Sequence, residues 1–172
     1  MDTQSSGARI LILGGYGRVG QEAARYLLNA TDAKVALSSR MARPLPVWAG
    51  PGSLDRLTNQ QLDVFDGEAL VAACARSDLV ISCAGPSGLI GERVAMACKR
   101  AGVPLVEAGG YDPLLHSLQQ AQASAPTSVP LVINVGLLPG LSGLFPKWLL
   151  DTRRDTQLVE ALDVYYVEIG RA

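Results

Sequence analysis

Gly15-Tyr16-Gly17-Arg18-Val19-Gly20 has the spacing G-x-G-x-x-G. An apolar run, Ile10 to Leu13, comes directly before it. Val19, Ala23, Tyr26, Leu27 and Ala30 follow at helical spacing. Strand, glycine loop and helix in that order are the context in which this spacing cradles a pyrophosphate. The first glycine permits a tight turn, the second lets the backbone approach the anion, and the third lets the helix pack closely. Free N–H groups at the helix N-terminus then face the phosphates. Gly15, Tyr16, Gly17, Arg18, Val19 and Gly20 are therefore expected to bind a dinucleotide. The alternative is a glycine-rich turn with no ligand.

The tip of the second strand discriminates between dinucleotides. A site for NAD normally carries a carboxylate there, accepting from the ribose 2′-OH. Here the chain reads Leu37-Ser38-Ser39-Arg40, with no acid at the tip. Arg40 and Arg43 suit a 2′-phosphate, and Ser38 or Ser39 can donate to it. Arg40 can instead stack on adenine, because a guanidinium is planar. The expected cofactor is NADP(H), with NAD(H) second. Asp63 and Val64 end the third expected strand, where an acid can accept from the adenine amino group; for Asp66 a helix cap is the better reading. Ser82-Cys83-Ala84-Gly85-Pro86 closes the fourth strand. Small residues such as Cys83, Ala84, Gly85 and Pro86 leave room there for ribose and nicotinamide.

Hydride chemistry belongs to the nicotinamide, and a protein supplies position and electrostatics. Glu107, Tyr111, Asp112 and His116 follow the fifth strand and are the nearest candidates for handling a proton. His116 alone has an unperturbed pKa near neutrality, but a surface position on a helix is its plainer reading. No catalytic residue is assigned. Short-chain dehydrogenases carry Tyr-x-x-x-Lys, and none of the five tyrosines has Lys four residues on. A methyltransferase using S-adenosylmethionine, like a nucleotide-gated regulatory module, usually wants the acid that the second strand lacks. A non-catalytic module that senses NAD(P) stays open as the alternative function.

These residues need a scaffold of alternating strands and helices. Apolar runs of strand length fall at 10–13, 34–37, 61–64, 79–83, 104–107 and 130–135. Helical stretches are expected over 19–30, 68–75, 89–101, 113–123 and from 139 to about 150, with a helical turn at 54–57 and a Pro/Gly-rich loop from 41 to 53. Asp66 is the N-cap of one helix and Gly102 the stop of another. Such alternation indicates βαβ units, a parallel sheet and an α/β fold of Rossmann type, doubly wound. A longer seventh strand is expected over 158–169.

Composition agrees. The chain has 172 residues, 48% hydrophobic and 18% charged, enough apolar material for one folded core. Aromatics are only 5%, so that core must be aliphatic. Fifteen basic against sixteen acidic residues give a net charge of −1, which provides no global field for nucleic acid or an anionic membrane. Cys74, Cys83 and Cys98 contain no CxxC pair and meet a single histidine, so no metal site is expected. Reduced thiols, no signal-peptide pattern and no membrane-length apolar run point to a cytoplasmic protein.

Several segments together resemble the saccharopine dehydrogenase (saccharopine reductase)-like family. They are the glycine loop, Ser38-Ser39-Arg40, Asp63-Val64-Phe65-Asp66, Val80-Ile81-Ser82-Cys83-Ala84-Gly85-Pro86 and Gly136-Leu137-Leu138-Pro139-Gly140-Leu141. Cys98 to Glu107 also resembles that family's C-x-x-x-G-x-x-Y-x-D segment, with Leu105 for the aromatic and Glu107 for the aspartate. The resemblance covers about residues 9–150. It implies an NAD(P)-dependent oxidoreductase acting on a C=N or C=O group of a small amino-acid-like substrate. It also implies a cofactor domain over 9–150 after a flexible 1–8, and the truncated start of a substrate and dimerisation domain over 151–172. An apolar strand there, left unpaired, suits a homodimer.

Overall fold

The computed structural model describes residues 7–110, 112–136 and 141–152. In chain order the elements are β1 (Arg9–Leu13), α1 (Arg18–Ala30), β2 (Lys34–Ser39), α2 (Pro51–Leu54), β3 (Leu57–Gln61), α3 (Gly67–Ala75), β4 (Leu79–Ser82), α4 (Ser87–Ile90), α5 (Arg93–Ala101), β5 (Leu105–Glu107), α6 (Asp112–Ser124), β6 (Leu131–Val132) and α7 (Leu141–Thr152). The six strands form one parallel sheet in the order β3-β2-β1-β4-β5-β6. This is the Rossmann-type α/β fold expected from the alternation.

Strand parity builds both faces. Ile10 and Ile12 pack beside Ala24 and Leu28 of α1, with Val35, Leu37 and Leu57. Leu11 and Leu13 point the other way, onto Leu70 and Cys74 of α3 and Val94 and Cys98 of α5. A strand covered on both faces must be apolar throughout, which is why β1 reads as an unbroken run. Leu11, Ile12 and Leu13 are at most 1% exposed, each contributing about 1.5–3 kcal/mol by burial.

Local signals set two helix ends as expected. The Asp66 carboxylate accepts from Ala69 N at 3.1 Å and caps α3. Gly102 stops α5 in the left-handed conformation, φ 72°. Four expectations change. The helical turn expected at 54–57 is α2, Pro51–Leu54, and the sixth strand, expected over 130–135, is only Leu131–Val132. The third strand is Leu57–Gln61, four residues earlier than its apolar stretch suggests, and Leu62 and Val64 instead turn into the core. As an edge strand, β3 keeps polar residues, which hid it from a hydrophobic pattern. The helix expected over 89–101 is two pieces, α4 and α5, parted at Gly91 with φ 58°. Residues 158–169, where a seventh strand is expected, lie outside the described residues, as do Tyr111 and residues 137–140.

The order of strands reverses between β1 and β4. In an open α/β sheet a crevice opens at that point, beyond the carboxyl ends of the strands.

Candidate functional site

A cleft of about 790 Å³ lies at that point. Four chain segments build it: the glycine loop after β1, the end of β2 with the turn after it, the turn after β3, and the end of β4 leading into α4.

The glycine loop leaves β1 at Gly14, whose φ is 68°. A Cβ there would stand 2.7 Å from the Cys83 carbonyl oxygen. Gly14, outside the hexapeptide motif, is thus the residue that makes the tight turn; the doubled glycine Gly14-Gly15 was its signal. Gly15 instead lies against β2: a Cβ would be 3.0 Å from Leu37 Cα, and Gly15 N donates to Ser38 O at 3.2 Å. Gly17 N donates to Gly14 O at 2.9 Å, and Gly17 lines the cleft. Gly20 has the close-packing role expected of the third glycine, since a Cβ would come 2.5 Å from Gly14 O.

Gly17 is also the N-cap of α1. No side chain caps that helix, and no acid stands in its first turn. The first-turn N–H groups have no partner within the helix and carry its positive end. Arg18 and Val19 are exposed on this turn and do not line the cleft, whereas Tyr16 does. Gln21 Nε2 holds the Tyr16 carbonyl at 2.9 Å.

The end of β2 carries Ser38 and Ser39 into the lining, and the turn after it carries Arg40, Met41 and Arg43. Ser38 is 1% exposed, while Arg40 and Arg43 are exposed. Across the cleft are Val64 and Phe65, then Cys83, Ala84, Gly85 and Pro86. Asp63 is not part of the wall: it is exposed, and its Oδ1 accepts from Phe65 N at 3.0 Å, closing the turn after β3. The cleft's charged lining is therefore two arginines and no carboxylate.

Burial, with Glu107 nearby, pushes the Cys83 thiol up to about 11. It stays protonated near neutrality and forms a small apolar wall rather than a nucleophile. Glu107, at the end of β5, is 2% exposed. Its Oε1 accepts from Ser82 Oγ at 3.2 Å, and Oε2 has no partner. Desolvation raises its pKa above the ordinary carboxyl range, and the Ser82 bond opposes that only in part. His116 is exposed on α6, and neither it nor Glu107 lines the cleft. Among the described residues no group of three or more His, Cys, Asp or Glu is placed to hold a metal. None of the described helices is long and apolar enough to cross a membrane.

Comparison with known proteins bears on the fold and the family. A family model described as saccharopine dehydrogenase NADP binding domain matches residues 10–129. Among solved structures, apo saccharopine dehydrogenase (L-Glu forming) from Saccharomyces cerevisiae is 26% identical. Its TM-score is 0.69, over 84% of this chain and 31% of that one. The chain thus spans about a third of that protein's length. Two more distant structures share the fold. A putative epimerase from Burkholderia cenocepacia is 19% identical, with TM-score 0.52 over 73% of this chain and 52% of that one. A wide-type short-chain dehydrogenase/reductase from Veillonella parvula, in complex with NADP, is 18% identical, with TM-score 0.51 over 73% and 67%. No curated protein matches the chain by sequence.

Proposed function

Because this chain belongs to the saccharopine dehydrogenase NADP-binding domain family, we propose that it holds NADP(H) across the cleft at the β1/β4 reversal. In this reading it serves an oxidoreductase acting on a C=N or C=O group of an amino-acid-like substrate. One observation carries the preference for NADP(H): two arginines and no acid supply the charge of the lining. A carboxylate would repel a 2′-phosphate and accept from a 2′-OH, and none is there.

The residues fit the group. Gly14 and Gly15 fold the loop tightly, Gly17 leaves the backbone open to the cleft, and the uncapped first turn of α1 faces the pyrophosphate. Ser39 and Arg40 stand at the adenosine ribose. Val64 borders the adenine side, and Cys83, Ala84, Gly85 and Pro86 form the small wall beside the nicotinamide. When bound, the dinucleotide supplies the hydride. The chain's own residues bind and orient it. Residues 9–150 are then the cofactor domain, and 151–172 lead into a substrate and dimerisation domain.

The test is calorimetric titration of the chain with NADPH and NADH in parallel. NADPH should bind more tightly. Arg40→Ala should weaken NADPH by about tenfold or more, the value of a charge-assisted contact, and leave NADH nearly unchanged. Equal loss for both cofactors removes the phosphate role of Arg40.

A further inference from the structure

The turn after β2 is built in an unusual way. Its backbone carbonyls are tied down, while its cations are left free of acids. Asn59 Nδ2 and Tyr16 Oη both donate to the Arg43 carbonyl, the latter at 3.4 Å. Gln61 Nε2 donates to the Arg40 carbonyl at 3.1 Å. Asn59 and Gln61 are two apart on β3, so their side chains leave the strand on the same face. The polar character of this edge strand thus serves the turn beside it. Pro44 has a fixed φ of its own and disfavours helical backbone at Arg43.

The side chains contrast with this. The Arg43 guanidinium lies over the Tyr16 ring, 5.7 Å from its centroid. Among the described residues the cations in ion pairs are Arg9, Arg25, Arg100 and Lys147. Neither arginine of the cleft has an acid, although the chain carries one more acidic than basic residue. An aromatic face holds a guanidinium in place without neutralising it. The tyrosine that does so sits between Gly15 and Gly17 of the phosphate loop.

We propose that Arg43, seated on Tyr16 and anchored through Asn59, is a second cation for the 2′-phosphate of the adenosine. Tyr16 is the positioning residue that sets cofactor choice from within the glycine loop. The inference rests on the reading of the cleft as an NADP(H) site. The recognised chemistry is a phosphate monoester on a nucleoside ribose, largely dianionic near neutrality. Two guanidiniums on a pinned backbone meet it with little ordering cost, because the turn is fixed before the ligand arrives. The aromatic seat also makes Lys a poor substitute at 43, since it lacks the planar fork.

Six chains would be titrated with NADPH, NADH, 2′,5′-ADP and 5′-ADP: wild type, Arg43→Ala, Arg40→Ala, Tyr16→Phe, Tyr16→Leu and the double variant Tyr16→Leu/Arg43→Ala, each checked for an unchanged thermal melt. Arg43→Ala should weaken NADPH and 2′,5′-ADP by about tenfold. NADH and 5′-ADP should stay within about threefold, since they lack the phosphate that Arg43 meets. Tyr16→Phe keeps the ring and should retain the wild-type ratio of NADPH to NADH affinity. Tyr16→Leu removes the seat and should lose much of that ratio, with little further effect when Arg43→Ala is added. If Arg43→Ala leaves the ratio unchanged while Arg40→Ala lowers it, the second-cation role is wrong and the NADP(H) site stands. If Tyr16→Phe loses the ratio as fully as Tyr16→Leu, the hydroxyl and not the ring is responsible, and the aromatic seat is refuted. Wild type that prefers NADH, or binds neither dinucleotide, overturns the reading of the cleft and this inference with it.

Discussion

Glycine side chains weigh nothing, yet four of them divide the work of the phosphate loop by what stands next to each. The motif was legible as a motif, but its division of labour was not. Spacing assigns the turn to the first glycine of the hexapeptide, whereas contact with Cys83 and Ala84 assigns it to Gly14. Two substitutions separate folding from binding. Gly20→Ala would drive a methyl onto the Gly14 carbonyl and Gly15 Cα, both backbone, and the loop must shift. Its thermal midpoint should fall, by an amount equivalent to about 1–3 kcal/mol of overpacking. A Cβ at Gly17 meets only Gly14 O, at 3.2 Å. Gly17→Val should therefore melt closer to wild type while losing NADPH binding, because its bulk enters the cleft. Tight NADPH binding by Gly17→Val is the outcome that removes the loop assignment. Asp63 shows the limit of residue-level reading: its type and approximate place suited adenine, but a local turn bond claims the carboxylate.

At the scale of elements, apolar strands and capped helices were readable because burial on both faces and free helix ends leave strong marks in composition. The edge strand β3 and the break at Gly91 left weak ones. Glu107 is the case where an element's neighbours decide a residue's chemistry. At the end of β5 it is covered by the sheet, bonded to Ser82, and close enough to Cys83 and Cys98 to affect their titration. Its pKa is raised in the folded chain. As pH rises past the ordinary Glu range, the unfolded chain ionises and releases a proton that the folded chain keeps. Stability therefore falls with rising pH until the folded pKa is passed. Glu107→Gln cannot ionise and should lack this component. Urea midpoints for both proteins from about pH 5 to 8 would reveal it as a decline present only in wild type. Parallel curves would mean that the carboxyl is already ionised in the fold.

Across the whole molecule, the topology is the part the sequence specified most fully. Alternating elements imply parallel crossovers, parallel crossovers imply two covered faces, and the reversal of strand order then locates a cleft. What joins distant parts of the chain was not readable. The tie from Asn59 and Gln61 to the turn after β2 depends on strand register, which pairs Leu37 with Asn59 and Ser39 with Gln61. The same turn continues to Trp48, whose indole N–H donates to Gln21 Oε1 at 2.7 Å and whose ring lies 5.0 Å from the Arg25 guanidinium carbon. The other tryptophan, Trp148, is on α7, is 57% exposed and stacks on Phe145. The molecule thus carries two lamps with different shades. Acrylamide should quench Trp148 first, since it stands in solvent. Reduced nicotinamide absorbs where tryptophan emits, so a dinucleotide in the cleft should dim the shielded Trp48 by energy transfer. Trp48→Phe should remove the part of that dimming that comes from the turn after β2, giving that turn its own optical signal.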